Sequence, residues 1–348
     1  MRLQILWVLL AALLLTGCSG TAVVNYDDCD CPEENEQLEQ TPPQSGSSTT
    51  ALKTGLAVIA GVSDSRNAEQ VDYNVTITAV AVDSDGIIRQ CIIDGISAQV
   101  ALDAAGNITS DITAAVPTKN ELGEAYGMKT YGGATYEWDE QAEALADYAV
   151  GKTAEELQRS ALNAEGYAAA PELATSATIK LDTLVQAVAQ AVNGAQQRGM
   201  QAGDTLQLAV ISSLSGSTSA TAESAGIAQL DSDFAVVSRS GNTISSCYID
   251  SLQAKVTFDA AGTITSDIAA PVPTKNELGE AYGMKAYGGA TYEWDQQAEA
   301  FSRFVTGKTF AEVAGLATPE GYASNADLSA SVTIRITGFQ ALLAKVFS

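Results

Sequence analysis

The chain contains no histidine. Imidazole is the side chain that titrates near neutral pH and the commonest transition-metal ligand. Its absence removes Ser-His-Asp and Cys-His catalysis, zincin motifs and most transition-metal sites together. Bases are scarce as well, with 18 Lys and Arg against 42 Asp and Glu and a formal net charge of −24. Such a balance excludes nucleic acid as a partner, because that binding relies on cations neutralising phosphates. It also disfavours adhesion to anionic headgroups. The five cysteines are Cys18, Cys29, Cys31, Cys91 and Cys247. None offers the paired spacing of a zinc set, so no metal site is expected. Beyond the first 17 residues no apolar run approaches the roughly 20 residues of a transmembrane helix. What chemistry there is must come from carboxylates, Lys, Tyr, Cys, Thr or a bound cofactor.

What is present begins with an address. Arg2 precedes an unbroken apolar run from Ile5 to Leu15, which has the length of a signal-peptide core. It ends in Leu15-Thr16-Gly17-Cys18, which resembles the lipobox of bacterial lipoproteins. That resemblance implies that residues 1–17 are a signal peptide removed before Cys18 and that Cys18 carries the lipid. The product would be held on the extracytoplasmic face of the cell membrane, anchored and not spanning. Residues 18–53 read as a disordered acidic tether. Seven acids lie between Asp27 and Glu39, no base follows until Lys53, and a Pro/Ser-rich stretch from Thr41 to Ser48 completes it.

The remainder is written twice. Val116 to Ala144 and Val272 to Ala300 agree at 27 of 29 positions at a constant offset of 156. Cys91-Ile92-Ile93-Asp94 answers to Cys247-Tyr248-Ile249-Asp250 at the same offset. With one cysteine per copy, no disulfide can form inside a repeat, and Cys91 and Cys247 are expected as buried thiols in strands. Two repeat domains, 54–195 and 204–348, are expected, with a boundary near Asn193 to Gly203.

Within one unit, Leu56 to Ala60 and the alternating Val75 to Val82 predict strands. Asp83-Ser84-Asp85-Gly86 predicts a turn, and Ile87 to Ile93 the returning strand. Ala98 to Leu102 and Ile108 to Ile112 predict a second hairpin. Helices are expected over Glu137 to Val150 and Thr153 to Leu162. A strand over Ala177 to Leu181 and a helix over Thr183 to Val192 close the unit. The fold class is therefore α+β: two tandem repeats, each a mostly antiparallel sheet with helices packed on one side and a closing strand–helix.

Gly151-Lys152-Thr153 and Gly307-Lys308-Thr309 imitate a phosphate-binding loop, yet Ala146 and Ser302 stand where its first glycine belongs. A helix stop at Gly151 and a capping box from Thr153 to Glu156 account for the triplet better. Thr118 with Glu121, Thr274 with Glu277 and Thr309 with Glu312 read as capping boxes too. The richest cluster is Tyr131, Gly132, Gly133, Thr135 and Trp138, repeated as Tyr287, Gly288, Gly289, Thr291 and Trp294. Two glycines before a helix start can expose main-chain N–H groups to an anion, and aromatic faces can stack on a planar ring. The same residues serve equally as a turn with aromatics packed beneath it.

Glu172-Leu173-Ala174-Thr175-Ser176-Ala177-Thr178 resembles the D-x-x-(S/T)-G-A-T signature of the extracytoplasmic FMN-binding domain family, and Asp327 to Thr333 is its counterpart in the second unit. Glu172 stands for the Asp and Ser176 for the Gly. In the second unit Ala330 and Val332 depart as well, and Ser331 holds the Gly position. The resemblance implies FMN as cofactor, Thr178 and Thr333 as its phosphate acceptors, and Ser176 and Ser331 beside them. It further implies a redox carrier or binding protein, not a hydrolase or transferase. The function expected is electron transfer outside the membrane with a redox partner. The alternatives are non-catalytic capture of a small ligand at the Tyr/Trp/Gly-Gly loop and a structural role in the cell envelope.

Overall fold

The computed structural model describes residues 50–64 and 70–348. Cys18, Cys29, Cys31, the signal segment and most of the acidic tether lie outside the described residues. The architecture is mixed α+β, built from two antiparallel sheets and helices. In the first repeat β1 (Ala51–Asp64), β2 (Gln70–Val82) and β3 (Ile88–Ala101) form a meander. In the second, β5 (Thr205–Ser213), β6 (Gly226–Ser240) and β7 (Thr243–Phe258) repeat it. Each meander carries a bulge at the matching place, Ala81/Val82 and Ser238/Arg239. Between the repeats, β4 (Gln196–Gln201) leaves the first unit and adds to β1.

Period-two alternation distributes side chains to opposite faces of a strand. Here both faces are apolar, and they serve different cores. Along β2, Val71, Tyr73, Val75 and Ile77 point to the second sheet, where they share one core with Leu230, Phe234, Leu252 and Val256. Val80 and Val82 point the other way, onto helices α3 (Trp138–Ala149), α4 (Ala154–Ala161) and α6 (Asp182–Asn193). In the second unit Val237 and Ile249 likewise meet α9 (Trp294–Val305), α10 (Phe310–Ala314) and α12 (Thr337–Phe347). The layers run helix, sheet, sheet, helix, and the described residues form one compact unit.

The far ends of the two sheets interlock reciprocally. The turn glycine Gly106 (φ +68°) lies against Asp259, where an added Cβ would stand 2.7 Å from the Asp259 carbonyl oxygen. Gly262 (φ +74°) lies against Asp103 at the same 2.7 Å. Positive φ and this close approach both require glycine.

Several expected elements take a different form. β3 is continuous through Gly95, where the sequence suggests separate strands at Ile87 to Ile93 and Ala98 to Leu102. Without a side chain, Gly95 accommodates Trp138, whose ring would stand 3.3 Å from an added Cβ. The second hairpin shrinks to one bridge, Leu102 to Ile108. Ala177 to Leu181 joins no sheet. It is an irregular connection between the short α5 (Pro171–Ala174) and α6. A side chain takes the main-chain donors that a neighbouring strand would need.

Candidate functional site

That side chain is Gln141. It lies on α3, fully buried. Its Oε1 accepts from the main-chain N–H of Thr178 (2.7 Å) and Ile179 (3.1 Å) and from Thr178 Oγ1 (3.2 Å). Its Nε2 donates to the carbonyl of Tyr136 at 3.1 Å. One glutamine therefore ties the Thr178 loop to the residue after Thr135. Gln297 does the same in the second unit, receiving Thr333 N–H at 2.8 Å, Ile334 N–H at 3.1 Å and Thr333 Oγ1 at 3.2 Å, and donating to Tyr292 O at 3.0 Å. Thr178 and Thr333 are both exposed. Two residues on, Lys180 lies over the ring of Tyr167 at 5.9 Å and Arg335 over Tyr322 at 5.8 Å. Both tyrosines are partly exposed.

The glycine-rich loop is built otherwise than expected. Gly132 ends the short helix α2 (Met128–Gly132) and Gly133 caps its C-terminus in the left-handed region, so the glycines do not open a helix. The main-chain N–H groups at the other end of α2 are taken internally. Buried Glu137 accepts from Met128 N (2.7 Å) and Lys129 N (3.0 Å), and it also caps the first turn of α3. Glu293 does the same for Met284 (2.8 Å) and Lys285 (3.1 Å) in the second unit, at the start of α8 (Met284–Gly288). A carboxylate of the chain thus fills the place an external anion would take.

Tyr131 and Tyr287, by contrast, are 87% and 92% exposed. Thr135 and Thr291 are exposed with them, as are Gly132, Gly133, Gly288 and Gly289. Trp138 and Trp294 do not join this surface. Both are buried, with Lys119 Nζ 4.8 Å and Lys275 Nζ 4.9 Å from their ring centroids. Ser176 and Ser331 are half-buried, each donating its N–H to a leucine carbonyl one helical turn back.

The Gly-Lys-Thr triplets are closed to a phosphate. Gly151 N–H goes to Ile88 O, Lys152 N–H to Ala149 O and Thr153 N–H to Glu156. All four capping boxes expected from the sequence are formed. Two more, from Glu137 to Glu140 and Glu293 to Gln296, escape a search for Ser or Thr at the cap.

Titratable groups with shifted values lie away from the threonine loops. Burial raises Asp94, and it pushes Asp250 up to about 6, against opposing bonds from Thr274, Ser251 and Asn276. Burial drives Cys91 and Cys247 up to about 12, so neither thiol is a nucleophile at neutral pH. Among the described residues no group of acids and cysteines is arranged to hold a metal ion.

No known family, no curated protein and no solved structure matches this chain significantly.

A flavin phosphate would make definite demands on these loops. An acceptor threonine must be reachable and held still, and both threonines satisfy that. A cation would be needed as well; Lys180 and Arg335 follow by two residues in the chain, each over a tyrosine ring. The adjacent main-chain N–H groups contribute nothing, because the glutamines already hold them. What each loop offers such a group is an exposed threonine, its hydroxyl bonded to a glutamine, and a cation two residues on.

Proposed function

We propose that this chain is a lipoprotein anchored through Cys18 to the outer face of the cell membrane, with two FMN-binding-like repeats that carry electrons outside the cell. The observation supporting it is the duplicated threonine. Thr178 and Thr333 are exposed, each is fixed by a buried glutamine, and each is followed by a cation. Bound flavin would supply the redox chemistry. The chain's own part is to hold the phosphate at Thr178 or Thr333, with charge from Lys180 or Arg335. Gln141 and Gln297 keep the loops in place. No helix among the described residues is long and apolar enough to cross a membrane, which is compatible with an anchor.

The test is the full chain, exported in its own host. A flavin band near about 450 nm that survives denaturation is expected. Thr178→Ala and Thr333→Ala should each remove about half of it, and Thr135→Ala none. Colourless protein, or full colour in the double variant, would end the flavin reading.

A second reading rests on a separate observation. Tyr131 and Tyr287 expose almost their whole rings at the same place in both copies. Such rings suit capture of a small planar or sugar-like ligand without chemistry. Tyr131→Ala with Tyr287→Ala should abolish that capture while leaving any flavin colour unchanged.

A further inference from the structure

The two repeats differ along one groove. In the second unit it lies between edge strand β7 and α9, and β4 crosses it. Gly199 presses against β7 so closely that a Cβ there would lie 2.2 Å from the Ser245 carbonyl oxygen. Arg198 reaches in, its guanidinium 4.0 Å from the centre of the Tyr248 ring and its Nη1 donating to Thr54 O at 3.0 Å. Cys247, Glu299 and Arg303 line the same place. Burial lowers the Arg198 pKa, and Glu299 is among the charges opposing that.

In the first unit the corresponding groove runs between edge strand β3 and α3. It is a cleft of about 340 Å³ lined by Cys91, Ile92, Asp139, Glu143 and Asp147. Cys91 matches Cys247, Ile92 matches Tyr248 and Glu143 matches Glu299. Asp147 stands where the second unit has Arg303, so the cation of that groove is replaced by an acid. No base lines it. Asp139 Oδ1 is shut away from solvent with no hydrogen-bond partner, as is Asp295 Oδ1 at the matching place in the second unit. Among the described residues no strand crosses this groove, and β3 is the outermost strand of its sheet.

We propose that the groove between β3 and α3 receives an extended, arginine-bearing segment of a partner protein, in the manner in which the second repeat receives β4. Charge selects the occupant. Three carboxylates without a base favour a cationic side chain and repel the chain's own segment from Asp27 to Glu39, which carries seven acids and no base.

The experiment uses the full chain and a labelled peptide with the β4 sequence, Ala-Gln-Gln-Arg-Gly-Met-Gln-Ala-Gly, followed by fluorescence anisotropy. Saturable binding that weakens with added salt is expected. Replacing the peptide arginine by glutamate should weaken it at least about tenfold, and so should Glu143→Lys with Asp147→Lys on the protein. Both protein substitutions are on exposed helix positions, and circular dichroism checks that the fold persists. Ile92→Tyr, which supplies the ring that Arg198 meets in the second unit, should tighten binding. Absence of binding overturns the proposal. So does binding indifferent to the peptide arginine or to Glu143 and Asp147.

Discussion

Gln141 and Gln297 are the residues on which most of the candidate site depends. Each uses both ends of a buried amide to hold two loops, and a buried hydrogen-bonding group is expensive to leave unmade. Gln141→Ala would strand two N–H donors and leave a void beneath the Thr178 loop. A loss of about 2–4 kcal/mol is expected by chemical denaturation, with a similar loss for Gln297→Ala. Asp250 gives a second prediction at this scale. Its folded value of about 6 lies above the ordinary carboxylate value, so between the two the folded state binds the extra proton. Its contribution therefore falls as pH rises from about 4 to about 6 and stays low above that. Asp250→Asn should remove this component. Relative to the parent, the variant should gain on the order of 2–3 kcal/mol between about pH 4 and about pH 7.5. Equal differences at both pH values would refute the assignment. Neither residue stood out in the sequence. A lone glutamine on a helix reads as surface, and nothing local says that its partners lie 37 residues downstream.

At the scale of elements, Glu137 couples α2 to α3. It caps one helix and occupies the N-terminus of the other, so one carboxylate satisfies donors on both. Glu137→Ala should cost about 2–4 kcal/mol and loosen residues 128–136. Amide hydrogen exchange there should accelerate while the strands keep their protection. Much at this scale could be read in advance. The Asp83 to Gly86 turn, the helices around Leu145 and Val188 and four capping boxes all follow from local chemistry. The misreadings have physical causes too. Ala-Thr-Ile-Lys-Leu from Ala177 has strand composition, but Gln141 takes its donors. Gly95 looks like an interruption of β3 but marks where Trp138 and Lys119 pack against it. The Gly132-Gly133 pair suggests an anion cradle. Its backbone instead terminates a helix, and the anion at the other end is Glu137.

At the scale of the molecule, the sheets pack through a common core. Their strands are apolar on both faces, a pattern that signals burial on both sides without naming the second layer. Phe234 lies fully buried in that shared core. Phe234→Ala should cost about 3–5 kcal/mol and lower the unfolding of both repeats together. Calorimetry should show one transition in the parent and in the variant. Two separated transitions would mean that the repeats unfold independently.

The likeness of the two halves is broken at the edges, and one side chain bears on how. On the first sheet the outer edge of β1 is covered by β4. On the second, the matching stretch of β5 meets the side chain of Gln90, whose Nε2 donates to Asp204 O at 2.7 Å and whose Oε1 accepts from Leu206 N at 2.8 Å. That amide occupies the main-chain positions a further strand would use. An array of head-to-tail copies, each lending its β4 to the next, would need those positions free. Gln90 thus closes this stretch of β5 to an added strand. Its replacement by alanine should turn a chain of defined size into one whose scattering mass climbs with concentration.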